Sequence, residues 1–189
     1  MNIVILGATG GIGRCLAKNL SNEHKLFIGS RNSDNVDKLI RTLTLNNRES
    51  VLNGTAVDVD SFDSIDNFLS EANTYLGSID CIINCVGSLL LKPAHTTSRD
   101  ELDNVFKTNV FSCFGVIKYS FKYLRKNGGS IVFFSSAASK VGLKNHDAIA
   151  SAKAAVSSLV LSSASTYAKY NIRINAIAPG LVDTPLTQN

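Results

Sequence analysis

The sequence lacks a cysteine pattern that would hold a metal ion or a disulfide framework. Cys15, Cys81, Cys85 and Cys113 form no CxxC pair, and no histidine stands near them at metal-ligand spacing. Structural zinc sites and disulfide-rich domains depend on such spacings. We therefore expect no metal site, and we interpret the four cysteines as small buried side chains of a cytoplasmic protein.

Membrane-length apolar runs and one-sided charge are missing as well. The longest uninterrupted apolar stretches have the length of strands, and residues 1–6 enter such a stretch without the basic segment of a secretory signal. The net charge is only +4, and the lysines and arginines are scattered. These absences argue against a membrane or nucleic acid as a partner. Without a repeat or a linker, residues 1–189 are expected to form one domain.

What the sequence does contain is a regular alternation of strand and helix patterns. Apolar, β-branched runs predict strands at 3–6, 26–28, 51–57, 79–83, 130–134 and 172–177. Helical periodicity predicts helices at 11–22, 34–46, 61–76, 98–126 and 147–169, the fourth opened by a capping box of Ser98 and Glu101. This alternation predicts an α/β fold, a Rossmann-type doubly wound parallel sheet with helices on both faces and strand order 3-2-1-4-5-6.

A glycine-rich turn joins the first strand to the first helix. It reads Gly7-Ala8-Thr9-Gly10-Gly11-Ile12-Gly13. Glycines in this position permit a tight turn and let free backbone N–H groups approach a pyrophosphate at the helix N-terminus. We interpret the turn, with Thr9 and Ile12 inside it, as a dinucleotide-binding element.

The end of the second strand bears on the choice of cofactor. Sites that prefer NAD carry a carboxylate there for the ribose hydroxyls, but this chain has Ser30 followed by Arg31. A guanidinium can bind a 2′-phosphate through charge-assisted hydrogen bonds. The sequence therefore favours NADP(H) over NAD(H), the alternative being that Arg31 is merely a solvated surface side chain.

Further motifs follow at characteristic intervals along the chain. They are Asp58-Val59, Asn84-Cys85-Val86-Gly87, Asn109, Ser136, Lys153, and Pro179-Gly180 with Thr184. Together with the glycine turn, this set closely resembles the short-chain dehydrogenase/reductase family from residue 1 to about residue 186. The resemblance implies an oxidoreductase that transfers a hydride between a nicotinamide and a carbonyl or alcohol substrate.

The resemblance also implies a role for each motif in cofactor binding. Asp58 and Val59 would contact the adenine, while the segment from Asn84 to Gly87 would lie over the adenine ribose. Lys153 would hold the nicotinamide ribose. Pro179, Gly180 and Thr184 would lie against the nicotinamide, with Thr184 bonding its carboxamide.

Three side chains match the family's catalytic set. By resemblance, Ser136 would donate a hydrogen bond to the substrate oxygen, Lys153 would assist the proton transfer, and Asn109 would anchor a relay water. The plain alternatives are a turn-forming serine at a strand end and a polar residue inside a long helix.

The family's proton-transferring tyrosine is missing. Ile149 stands four residues before Lys153, where that tyrosine is expected, and no gap realigns another one. Isoleucine cannot transfer a proton, so we expect an impaired proton-transfer step. His146, seven residues before Lys153, lies on the same side of the predicted helix and is an improbable substitute; a surface or capping role is favoured.

Two further expectations follow from the resemblance. The family's paired long helices, here 98–126 and 147–169, imply a homodimer or homotetramer, although helices that cover a sheet have the same pattern. The chain ends nine residues after Gly180, so it lacks the family's substrate-covering helices and last strand or was truncated. A rival hypothesis is a catalytically inactive dinucleotide-binding protein that acts as a sensor or structural subunit.

Overall fold

A six-stranded parallel sheet forms the centre of the computed structural model, which describes residues 1–46 and 51–188. The strands are β1 Asn2–Leu6, β2 Lys25–Ser30, β3 Leu52–Ala56, β4 Cys81–Asn84, β5 Gly129–Phe134 and β6 Ile172–Ile177. Their order is β3-β2-β1-β4-β5-β6, which confirms the predicted topology. The order reverses between β1 and β4, where doubly wound sheets open a crevice at the carboxyl ends of their strands.

Helices cover both faces of the sheet. They are α1 Gly11–Leu20, α2 Ser33–Asn46, α3 Phe62–Leu76, α4 Arg99–Phe106, α5 Ser112–Leu124 and α6 Asp147–Tyr167. The predicted helical stretch 98–126 is helical from Arg99 to Leu124, and a π-helical turn, Lys107–Phe111, divides it into α4 and α5. The predicted capping box is confirmed: Ser98 Oγ accepts from the Glu101 N–H at 3.2 Å, and Glu101 Oε2 accepts from the Ser98 N–H at 2.9 Å.

Alternation along the strands divides the core into two layers. In β1, Val4 points into the cluster that α3, α5 and α6 complete, whereas Ile3 and Ile5 point into the cluster beneath α1 and α2. Successive side chains of a strand face opposite sides of the sheet, so strands covered on both sides need apolar residues at every position. This explains why β1 reads as a continuous apolar run.

The cysteines follow the expected burial only in part. Cys81 and Cys113 are buried, Cys85 is half-buried, and all four thiols are free. Cys15 is exposed on the outer surface of α1, so its interpretation as a core side chain was wrong. In the described parts of the chain, no three His, Cys, Asp or Glu side chains lie close enough to hold a metal ion.

One helical segment in residues 1–46 and 51–188 is long and apolar enough to cross a membrane by length and composition alone. This segment is Asp147–Tyr170. It does not stand out in the sequence as an uninterrupted apolar run, because serines and two lysines, Lys153 and Lys169, interrupt it. Core helices of soluble proteins pass the same test, and α6 buries Ala152, Val156 and Val160 within the fold.

Candidate active site

A cavity of about 390 Å³ opens at the carboxyl end of the sheet. We call it the sheet-end cavity. Its walls come from the start of α1, the loops after β4 and β5, the first turns of α6 and the segment after β6. The lining residues are Ile12, residues 85–89, Leu91, residues 134–138, Leu143, His146, Ile149, Lys153, residues 179–182, Thr184, Leu186 and Thr187.

The glycine turn approaches its neighbours so closely that side chains are excluded. Gly7 has φ +75°, and a Cβ there would stand 2.9 Å from the Val86 N. A Cβ on Gly13 would stand 2.2 Å from the Gly7 carbonyl oxygen. The first N–H groups of α1 have no partner within the helix, so the turn presents backbone donors where Gly10, Gly11 and Gly13 add no side chains of their own.

The turn is tied to the end of β2 through Thr9 and Ser30. Thr9 Oγ1 lies 2.7 Å from Ser30 Oγ, which also accepts from the Thr9 N–H at 3.2 Å. Ser30 is therefore buried, whereas Arg31 is exposed and makes no hydrogen bond or ion pair among the described residues. Arg14 Nη2 lies 3.5 Å from the Thr9 carbonyl oxygen. Arg31 directly follows Ser30 in the chain, so two arginines are available near this contact, and of these only Arg31 was predicted from the sequence.

The residues expected around the adenosine differ in exposure. Asp58 is exposed, and its Oδ1 accepts from the Asp60 N–H at 3.0 Å. Val59 is only 3% exposed and belongs to the core, so its side chain is not available to a ligand. Asn84 is buried at the end of β4, and its Oδ1 accepts from the Val86 N–H at 3.1 Å. Asn84 thereby shapes the loop that contains Gly87.

Lys153 brings a half-buried amine to the sheet-end cavity. Its Nζ donates to the Phe134 carbonyl oxygen at 2.8 Å. Burial lowers the pKa of this amine, and the Cys113 thiol opposes the shift. The backbone of Lys153 is also fixed, because Ser135 Oγ donates to its carbonyl oxygen at 2.9 Å. The end of β5 therefore holds both ends of this residue.

Ser136 follows Ser135 and faces the sheet-end cavity. Its Oγ accepts from the Ala138 N–H at 3.2 Å, which caps a short 3₁₀ turn. The hydroxyl donates to no atom in the described part of the chain, so its hydrogen is available to a ligand. The two serines that follow β5 have different partners: Ser135 Oγ bonds to Lys153 and Ser157 of α6, whereas Ser136 Oγ bonds to the Ala138 N–H.

Asn109 lies in the π-helical turn and is 1% exposed. Its Nδ2 donates to Ser88 Oγ and to the Val105 carbonyl oxygen, both at 2.9 Å. A Cβ on Gly87 would stand 3.1 Å from Asn109 Oδ1 and 3.3 Å from Lys153 Nζ. The missing side chain of Gly87 leaves a small space between these two groups. Ser88 was not predicted as a partner of Asn109.

Ile149 lies on α6 one turn before Lys153 and contributes to the wall of the sheet-end cavity. Its side chain is 4% exposed and packs in an apolar cluster with Val105 of α4 and Ala152. Leu89 packs against the same cluster. Ile149 therefore joins α6 to α4 and to the loop after β4, and it offers the cavity only hydrocarbon.

His146 also lines the sheet-end cavity, at the residue that precedes α6. Its Nδ1 lies 2.7 Å from the Lys144 carbonyl oxygen. Because a carbonyl only accepts, Nδ1 carries a proton, which leaves Nε2 as the unshared ring nitrogen. The ring does not cap the helix, so the structure places His146 at the rim of the cavity as a half-buried side chain.

The segment after β6 closes over the glycine turn. The Pro179 carbonyl oxygen accepts from the Ala137 N–H at 2.8 Å, which holds this segment beside the end of β5. A Cβ on Gly11 would stand 2.6 Å from Thr184 Cγ2. Gly180 and Thr184 thus meet Ser136 and Lys153 around one cavity. Residues 58–59 and Arg31 do not line it.

Comparisons with known proteins identify a family that the described fold matches. The sequence pattern of the family described as short chain dehydrogenase matches residues 1–189. A tropinone reductase homolog of Arabidopsis thaliana is 30% identical over 188 residues, which are 98% of this chain and 70% of that protein. A hydroxynaphthalene reductase-like protein of Metarhizium anisopliae is 29% identical over 190 residues, covering 97% of this chain and 68% of that protein.

A solved structure extends the likeness to three dimensions. The crystal structure of levodione reductase superposes with a TM-score of 0.93 at 27% sequence identity. The superposition covers 99% of this chain and 74% of that one.

Proposed function

This chain belongs to the short-chain dehydrogenase family, and we propose that it is an NADP(H)-dependent oxidoreductase acting on a small carbonyl or alcohol substrate, with a slow proton-transfer step. The observation that carries the proposal is that Ser136, Lys153 and Thr184 border one cavity beside the start of α1. When bound, the nicotinamide would supply or accept the hydride.

The glycine turn fits the pyrophosphate of such a cofactor. The absent side chains of Gly7 and Gly13 let the backbone close tightly, and the unpaired N–H groups at the start of α1 would bind the phosphates. Lys153 would hold the nicotinamide ribose. In the proposed site, Asp58 and Asn84 serve the adenosine, the former directly and the latter by shaping its loop.

Charge around Thr9 supports a preference for NADP(H). Arg14 lies beside the Thr9 carbonyl oxygen, Arg31 directly follows Ser30 in the chain, and no carboxylate ends β2. A 2′-phosphate placed there would gain charge-assisted hydrogen bonds, whereas the ribose hydroxyls of NAD(H) would find no carboxylate acceptor.

The proposed chemistry assigns each cavity side chain one task. Ser136 would donate its free hydroxyl hydrogen to the substrate oxygen. Lys153 Nζ and Asn109 Oδ1 both lie next to Gly87, and we propose that water links them there and gives a route for protons to solvent. At the expected tyrosine position, Ile149 has no exchangeable proton. Proton delivery to the substrate would then depend on water or on His146, and we expect it to limit turnover.

The rival hypothesis, an inactive dinucleotide-binding sensor or structural subunit, draws support from one observation. Ile149 is built into an apolar cluster rather than left at the surface. The position therefore has a packing role that does not need catalysis. Against this rival, Ser136 keeps an unused donor toward the cavity and Lys153 keeps its amine there despite the cost of burial.

We further propose that the protein works in the cytoplasm as a homodimer or homotetramer. Phe111, Phe114 and Leu161 expose 53%, 54% and 74% of their surface on the π-helical turn, α5 and α6. Association through these helices would cover the side chains. Light scattering of the purified chain tests this assembly, and a monomer at all concentrations would contradict it.

The function is tested in two steps. Nicotinamide fluorescence should report tighter binding of NADPH than of NADH to the purified chain. A panel of ketones and aldehydes should then oxidise bound NADPH slowly. Binding without any oxidation would favour the rival, and failure to bind either dinucleotide would contradict both hypotheses.

A further inference from the structure

The sheet-end cavity has an aliphatic side that the proposed chemistry does not use. Leu89 and Leu91 come from the loop after β4, Leu143 from the loop before α6, Ile149 from α6, and Leu181 from the segment after β6. We call these five residues the aliphatic wall. They come from four separate parts of the chain and form one surface only in the folded protein.

Charge is scarce in the same cavity. Among the lining residues that the structure describes, none is Asp or Glu, and Lys153 and His146 are the basic ones. Lys153 already donates to the Phe134 carbonyl oxygen. Cys85 also lines the cavity, but burial raises its pKa to about 12, so the thiol is uncharged at neutral pH.

These features make the cavity a poor site for a charged ligand. A carboxylate or phosphate would exchange water for aliphatic side chains without meeting an arginine fork. An ammonium group would find no acidic side chain among the described lining residues. A hydrocarbon, by contrast, gains about 25 cal/mol for each Å² of apolar surface that leaves water.

We propose that the substrate of this site is an uncharged, mainly apolar ketone or aldehyde, or the corresponding alcohol. Its hydrocarbon part would lie on the aliphatic wall and its oxygen would accept from Ser136. The inference rests on the proposed function, because the nicotinamide supplies the hydride that adds to the carbonyl carbon while the oxygen gains a proton. The cavity of about 390 Å³ is near the lower end for small-molecule pockets, and the nicotinamide would fill part of it, which suits a compact substrate built on a single ring.

Binding to the preformed NADPH complex tests this inference without relying on fast turnover. The probes are 4-tert-butylcyclohexanone and 4-oxocyclohexanecarboxylate, two ring ketones of which only the second is charged. Quenching of nicotinamide fluorescence reports each dissociation constant. We expect the neutral ketone to bind at least tenfold more tightly.

Leu143→Arg then tests whether the aliphatic wall sets this preference. Leu143 is 47% exposed, so a charge can be introduced there without disturbing the core. The variant should bind the carboxylate at least tenfold more tightly than the unaltered chain does. Leu45→Arg on α2, at a residue that is 79% exposed and outside the cavity, is the matched control and should change neither constant.

The possible failures are distinguishable. Loss of NADPH binding before any ketone is added would overturn the proposed function and this inference with it. Normal NADPH binding combined with equal or tighter binding of the carboxylate would overturn the substrate class alone. The same holds if neither ketone binds the NADPH complex, or if Leu45→Arg alters the preference as strongly as Leu143→Arg.

Discussion

The glycine turn and the first turns of α6 face the same end of the sheet but are built on different principles. In the turn, backbone atoms set the geometry, and a side chain on Gly13 would stand 2.2 Å from a carbonyl oxygen. On α6, side chains set the geometry, and Ile149 sits in an apolar cluster one turn from Lys153. A backbone-built site tolerates almost no substitution, whereas a side-chain site can lose one chemical group and keep its shape. We infer that cofactor binding and catalysis can be separated in this chain.

The largest expected effect, on both stability and NADPH binding, comes from adding a side chain to the glycine turn. Gly13→Ala forces its Cβ against the Gly7 carbonyl oxygen and should cost about 3 kcal/mol of stability. In a domain of this size that corresponds to a melting temperature lower by roughly 10 °C, and NADPH binding should be lost. Gly142→Ala is the control, since its Cβ would meet nothing within 4 Å. Equal stability of the two variants would refute the tight packing of the turn.

Lys153→Met should reduce turnover roughly 100-fold by removing the amine that we propose holds the nicotinamide ribose. The same substitution should also change how the free energy of unfolding depends on pH. Burial lowers the pKa of Lys153 from the ordinary 10.5, so between the two values the unfolded chain binds more protons and the stability of the unaltered chain rises with pH. The free energy of unfolding of the unaltered chain minus that of the variant should therefore increase toward pH 10.5. Urea titrations across this range measure it, and a flat difference would show that the amine is not desolvated.

Arg31→Ala tests the proposed preference for NADPH over NADH. It should weaken NADPH binding roughly tenfold and leave NADH binding unchanged, as measured by nicotinamide fluorescence. Arg41→Ala, another exposed arginine of the same region, is the control. Ser30→Asp should also shift the preference toward NADH, but it breaks the bond between Ser30 and Thr9, so it tests two things at once. A parallel loss for both dinucleotides in Arg31→Ala would contradict the 2′-phosphate assignment.

The smallest effect is expected at His146. Its ring is hydrogen-bonded to the Lys144 carbonyl oxygen at the rim of the cavity. His146→Ala should therefore reduce turnover by much less than the roughly 100-fold that is lost when a general acid is removed. Steady-state rates across neutral pH provide the measurement. A 100-fold loss would instead identify His146 as the substitute proton donor.

The sheet could be predicted from the sequence because parallel strands covered on both faces need unbroken apolar runs. β1 and β5 carry such runs, and together with the glycine turn they also determine the strand order. The π-helical turn at Asn109 could not be predicted, since its residues have ordinary helical periodicity. Cys15 was misjudged because residue type alone does not say which face of α1 a thiol occupies.

The parts of the candidate site that lie at the carboxyl ends of strands could be predicted from the sequence. Ser136 and Lys153 meet as their intervals suggested, and they do so around a single cavity. The bond from Ser88 to Asn109, the guanidinium of Arg14 beside Thr9 and the aliphatic wall arise from contacts between distant segments. No local pattern in the sequence encodes such contacts.

The central claim is that cofactor binding is complete while proton transfer is limited at residue 149. Ile149→Tyr restores a phenolic hydroxyl there, and Ile149→Phe is the matched control with the same ring and no hydroxyl. The most direct measurement is the rate of NADPH oxidation by both variants and the unaltered chain, at equal NADPH occupancy. We predict a gain of roughly 100-fold or more for the tyrosine variant alone, with an unchanged dissociation constant for NADPH. Equal rates for the tyrosine and phenylalanine variants would contradict the account, as would an unaltered chain that already turns over as fast as the tyrosine variant.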